Sequence, residues 1–210
     1  MRLSKLIILM VLSVFLSSCS SFSLSEYPGN LSVKKQRRAK DATLAVKSFT
    51  YDPVEKDADK LTPEDMMKWQ ELLTRGIDQS NIFTEVIMEN GDRASDKTAY
   101  SVDGKITRYY FKKNWVPTFF PLHLAASFFT LTGYTWLAGP TTVTKVDFEV
   151  QVDLKESKSG ALIKSFTERF QDTSALNIYS KDINSPYGNP GIVLTKVIDS
   201  LTSDMAAALP

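Results

Sequence analysis

From Thr144 to Leu154 the chain alternates apolar and polar residues with one clean parity. Val146, Phe148, Val150, Val152 and Leu154 take one set of positions, and Lys145, Asp147, Glu149, Gln151 and Asp153 take the other. Successive side chains of a strand point to opposite faces, so this run demands a sheet with one buried and one wet face. An antiparallel sheet covered on one side meets that demand. A turn at Lys155–Gly160 and a returning strand at Ala161–Phe170 complete a hairpin.

The rest of the globular part fits around this hairpin. Ala42–Thr50 reads as a first strand. Thr62-Pro63-Glu64-Asp65 reads as a helix start, with a threonine cap, proline in the first turn and two acids on the positive end of the dipole. Met66, Trp69, Leu73 and Ile77 then follow at helical spacing, with Leu72 beside them, to about Ser80. Ile82–Met88 is expected as a second strand, Glu89–Lys97 as a loop and Ala99–Phe111 as a third strand. In that third strand Tyr100, Val102, Gly104, Ile106 and Tyr110 would share a face, interrupted by Arg108. Gln171–Pro190 reads as a polar loop. Gly191–Leu209 reads as an amphipathic helix built on Leu194, Val197, Ile198, Leu201, Met205 and Ala208. The expected fold is α+β, a mostly antiparallel sheet with helices packed on one face and an apolar insertion between strands 3 and 4, at about 114–143. The domain would occupy 41–210.

The first residues set an address. Arg2 and Lys5 precede an apolar stretch, Leu6–Leu16, broken only by Ser13. That is the layout of a signal peptide over residues 1–18, and it falls short of the ~20 apolar residues of a comfortable membrane span. Leu16-Ser17-Ser18-Cys19 follows, and Cys19 is the chain's one cysteine. This resembles the lipobox of bacterial lipoproteins. The resemblance implies cleavage behind Leu16, Ser17 and Ser18, a diacylglycerol on the Cys19 thiol and an acylated new amino terminus (palmitate being a usual chain). Three acyl chains would hold firmly where one holds only marginally. Ser20, in place of aspartate, implies sorting to the outer membrane, with the domain on its periplasmic face.

Residues 19–40 read as a lipidated tether. Ser20, Ser21, Ser23, Ser25, Pro28, Gly29, Asn30 and Ser32 are linker types. Lys34, Lys35, Arg37, Arg38 and Lys40 form a basic run, open to two readings: contact with anionic head groups, or a solvated linker.

No charged residue occurs between Lys113 and Lys145. Trp115, Phe119 and Phe120 stand near one end of this run, Phe128 and Phe129 inside it, and Tyr134 and Trp136 near the other end. Three readings stay open: a segment dipping into the membrane with aromatic belts, a hairpin given to a shared barrel, or a buried crossover or partner-binding patch. His123, the sole histidine, is expected as a packed or interface residue.

Catalytic patterns are sparse. No glycine-rich phosphate loop and no Gly-x-Ser-x-Gly elbow are present. One histidine and one cysteine leave no metal site to expect, and no cofactor. Asp147/Glu149 and Glu149/Asp153 form carboxylate pairs, but on the wet side of a strand, where solvated acids are ordinary. A formal net charge of +1 argues against nucleic-acid binding.

The element order, with Tyr100-Ser101-Val102-Asp103-Gly104-Lys105-Ile106, is similar to a group of envelope proteins. The group comprises the amino-terminal domain of TolB, the lipoprotein activators of penicillin-binding proteins and the curli secretion lipoprotein. The lipobox, the tether, the missing catalytic set and the apolar run together lead to the expectation of a non-enzymatic envelope lipoprotein that binds or assembles an envelope complex through a protein partner. The alternative is an oligomeric pore or export subunit that inserts 115–140 into the membrane, which would make the chain a homo-oligomer.

Overall fold

The computed structural model describes residues 22–36, 41–55, 58–89, 98–115, 142–176 and 185–209. Five strands, β1 (Thr43–Tyr51), β2 (Glu85–Met88), β3 (Tyr100–Trp115), β4 (Thr142–Glu156) and β5 (Leu162–Leu176), form one sheet in the order β2-β1-β3-β4-β5. Two long helices, α1 (Pro63–Ser80) and α2 (Pro190–Ala208), complete an α+β fold.

The expected sheet was mostly antiparallel; the observed one is mixed. β1 lies parallel to both β2 and β3. The physical reason is α1: a helix-length crossover lets the following strand return in the same direction, which a tight turn cannot do. Buried Leu44, Ala45 and Val46 stand in succession on β1, which lies inside the sheet between β2 and β3. The antiparallel expectation holds for the β3-β4-β5 side. Ser157 N bonds Ala99 O and Lys155 pairs with Asp103, while Thr107 bonds Glu149. Ser165 bonds Asp153 and Arg169 pairs with Asp147, so β5 runs back along β4 in the same way.

By contact density the chain forms two units. The larger comprises Ser23–Tyr110, Asp147–Gln171 and Asn189–Pro210. Its core is aromatic at the centre. Trp69 of α1 meets Phe148 of β4 edge-on at 5.2 Å and Phe49 of β1 at 6.1 Å, and Tyr109 meets Phe148 at 6.3 Å. Phe148, Val150, Val152 and Leu154 are all fully buried, as their alternation requires. α1 and α2 cross closely at Gly76, where a Cβ would run into the Ile198 side chain. The smaller unit comprises Met1–Phe22, Phe111–Val146 and Asp172–Gly188. Within it the Phe22 and Phe111 rings meet at 5.3 Å with their planes tilted by 50°, and Thr144 bonds the Ser174 carbonyl.

Several boundaries differ from expectation. β2 starts at Glu85, because Ile82 and Phe83 are buried in the turn that follows α1. β3 runs on to Trp115 and β5 on to Leu176, six residues into the expected loop. Residues 90–97 and 116–141, the expected loop and most of the insertion, lie outside the described residues. On β3 the buried tyrosine is Tyr109, not Tyr110. The buried positions change parity along β3, with Val102 and Ile106 buried on one side of Thr107–Arg108 and Tyr109 and Phe111 on the other.

Gly104 is a close-approach position. A Cβ there would collide with the Gln151 carbonyl and crowd Phe49 Cε1 at 2.8 Å. Gly104→Ala is expected to destabilise by about 1–3 kcal/mol or more, and Trp69→Ala by about 3–5 kcal/mol, in urea unfolding. Unchanged midpoints would contradict this packing.

Candidate functional site

The segment that leads from Cys19 into the domain is the best-built feature outside the core. It was expected as a loose tether. In the larger unit, Ser23 to Gln36 instead lies along both helices. Its first turn (Leu24–Glu26) buries Leu24 completely, and Tyr27 is buried beside Gly191 at the start of α2. The Tyr27 hydroxyl donates to Asn30 O at 2.5 Å, and Arg75 of α1 donates to Gly29 O at 3.0 Å. Gly29 takes φ +85°, a conformation that suits glycine. Ser32 N donates to Thr195 Oγ1 and Lys34 N to Asp199 Oδ1, both on α2. Gln36 N donates to Ser80 O at 2.7 Å, the carbonyl at the end of α1. Linker-type residues here serve as backbone donors and turn formers, and the apolar Leu24, Tyr27 and Val33 dock them.

Asp65 fastens the start of this arm. Its Oδ1 accepts from the Ser25 backbone amide at 2.7 Å and the Ser23 hydroxyl at 2.9 Å. Its Oδ2 accepts from the Thr62 amide at 3.0 Å and the Thr62 hydroxyl at 2.9 Å, while Asp65 N donates back to Thr62 Oγ1. That reciprocal pair is a capping box, here with aspartate at the third position. Burial pushes the carboxyl up, and the four hydrogen bonds outweigh it, holding its pKa below the ordinary carboxylate value. Tyr109 faces the same region. Burial, with the charges of Asp65 and Asp59 and the Tyr51 hydroxyl, drives its hydroxyl far above the ordinary value, so it stays neutral.

The face of the sheet away from the helices is polar and internally paired. Arg169 forks onto Asp147 at 2.8 and 2.7 Å and approaches Glu149 at 3.6 Å. Arg108 meets Glu149 at 3.2 Å and also pairs with Glu55. The Asp147/Glu149 pair noted in the sequence is thus neutralised by arginines across the strands, and Asp147 is buried. Nearby, an open groove of about 290 Å³ is lined by Ser48, Thr50, Asp103, Gly104, Lys105, Gln151 and Asp153. Lys155 holds Asp103 with two 2.8 Å bonds, and Lys105 pairs with Asp52 at 3.0 Å. Exposed pairs of this kind contribute little stability, but they occupy the charges that a general acid or base would need. Among the described residues no three His, Cys, Asp or Glu side chains gather to hold a metal ion, and no helix is long and apolar enough to cross a membrane.

The residues singled out in the sequence fare unevenly. Lys34 and Lys35 are exposed at the end of the docked arm. Arg37, Arg38 and Lys40 lie outside the described residues, as do Leu16, Ser17, Ser18 and Cys19. The same holds for Phe119, Phe120, His123, Phe128, Phe129, Tyr134 and Trp136; Trp115 is described only as the last backbone position of β3. Sequence reading missed Asp65 as a latch. The signal was present: Leu24 and Tyr27 are apolar anchors inside a serine-rich stretch.

No known family matches the chain, and no curated protein does. Solved structures do resemble it. Protein XCC0632 from Xanthomonas campestris, labelled DUF330, superposes with TM-score 0.55 at 11% identity, covering 85% of this chain and 93% of that one. It supports the fold. A PelC dodecamer from Paraburkholderia phytofirmans gives 0.47 at 15% identity, covering 83% and 94%. Lipoprotein GNA1162 from Neisseria meningitidis gives 0.40 at 10%, covering 79% and 99%.

Asp65→Asn is expected to cost about 1–3 kcal/mol, since it weakens a buried acceptor that serves four donors. Because the folded carboxyl is the stronger acid, its contribution is full above the unfolded value of about 4 and is lost as pH falls below it. Wild-type stability should therefore drop in that acid window, and the Asp65→Asn variant should drop less. Equal acid slopes, measured by urea titration at several pH values, would contradict the latch.

Proposed function

We propose that this chain is a lipid-anchored envelope protein without catalytic activity, whose domain serves as a binding or assembly module for an envelope complex. Cys19 carries the lipid after cleavage behind Leu16-Ser17-Ser18, and the protein faces the periplasm from the outer membrane. The observation that carries this reading is the docked arm. Ser23 is held on Asp65 only four residues after Cys19, a reach of at most about 14 Å in extended chain. A lipid on Cys19 therefore mounts the larger unit close to the bilayer instead of letting it roam on a twenty-residue leash. The paired charges on the open sheet face favour a recognition surface over an acid/base site. The protein partner is a component of the envelope, and the exposed Lys34 and Lys35 lie near enough to the anchor to meet anionic head groups.

Fatty-acid labelling with fractionation tests this. The chain should incorporate labelled palmitate, lose it in Cys19→Ser, and leave the membrane fraction with it. Lack of label on the wild type would refute the anchor. Membrane retention of Cys19→Ser until 115–140 is deleted would favour the pore or export alternative.

A further inference from the structure

We propose that the outer edge of β5 pairs antiparallel with the same edge of a second copy of this chain, about a two-fold axis at Phe166. Among the described residues β5 ends the sheet order and spans 15 residues, whereas β2 at the opposite edge spans only four. A long open edge presents backbone donors and acceptors to any strand that fits it, and natural proteins protect such edges. This one carries Leu162 and Ile163, 56% and 37% exposed, a large apolar side chain left open on each face of the strand.

Charge selects both the partner and the register. Residues directly opposite in an antiparallel pair share a face, so a symmetric pairing must centre on a residue. Centred on Phe166, Lys164 of each copy faces Glu168 of the other, Leu162 faces Phe170, and Phe166 faces its own counterpart. On the other face Ser165 meets Thr167 and Ile163 meets Arg169. No like charges meet, and two ion pairs form. Centring on Glu168 or on Arg169 sets like charges directly against each other. Centring on Thr167 sets Phe166 against Glu168 and forms no ion pair. The nine residues Leu162–Phe170 span about 30 Å of edge.

The surroundings of Glu168 suit a cation from outside. It is half-buried and hydrogen-bonded to Ser200 and to Asp204, and the charged group acting on it, Asp204, has its own sign. Burial and Asp204 hold its carboxyl above the ordinary value, which a facing ammonium would relieve. The Lys164 ammonium lies 5.3 Å from the Phe166 ring centre, on the same face and beside the proposed axis.

The test uses the full chain with Cys19→Ser, so it does not depend on lipidation. By sedimentation equilibrium that chain should form a reversible dimer. Lys164→Glu should weaken the dimer by about tenfold, and Lys164→Glu with Glu168→Lys should restore it. Under mild oxidation, a Ser165→Cys chain mixed with a Thr167→Cys chain should yield disulfide dimers that neither forms alone. The cysteine mixture decides the matter if Glu168→Lys fails to fold. A monomer at all concentrations, a dimer indifferent to Lys164→Glu, or cross-linking without regard to position would each overturn the proposal.

Discussion

The Asp65 carboxylate joins three parts of the larger unit. It closes the capping box that starts α1, it receives the first residues of the arm, and it lies near the Tyr109 end of the aromatic core. A buried carboxylate is costly unless its lone pairs are filled, and here four donors fill them. Three of those donors come from Thr62 and Ser25 backbone and the Thr62 hydroxyl, groups that a helix start or a turn would otherwise leave to water. The arm then continues as a series of backbone donations to side chains and carbonyls of both helices. Its attachment is thus distributed, with Asp65 at the end nearest Cys19.

The sheet divides the chemistry of the chain in two. One face packs Trp69, Phe148, Tyr109 and Phe49 against one another, and Gly104 has no room for a methyl group because the Gln151 carbonyl and the Phe49 ring stand against it. The other carries charged residues in cross-strand pairs, with Arg108 and Arg169 each shared among carboxylates. The charges of that face are thus balanced within the sheet, and among the described residues the long β5 strand stands at its end.

The sequence made the local elements legible wherever one period dominated. The alternation on β4 foretold its buried face residue by residue, and Thr62-Pro63-Glu64-Asp65 foretold the start of α1. The parallel pairing of β1 was harder to see, although three consecutive buried residues, Leu44-Ala45-Val46, carried a hint of it. The parity change on β3 escaped because a shift between Ile106 and Tyr109 leaves no trace in composition. Asp65 escaped as a latch because its partners lie forty residues upstream, and a helix-start acid already has a sufficient local role. Serine-rich composition suggested a tether, yet Leu24 and Tyr27 were enough to dock it.

The arm from Ser25 to Gln36 is held to both helices by donors spread along its length. Amide hydrogen exchange of the full chain tests that claim most directly. The account predicts that the amides of Ser25, Lys34 and Gln36, each bonded to a helix residue, exchange slowly and in step with α1. Exchange of these three amides at the rate of a free chain, while α1 stays protected, would contradict it.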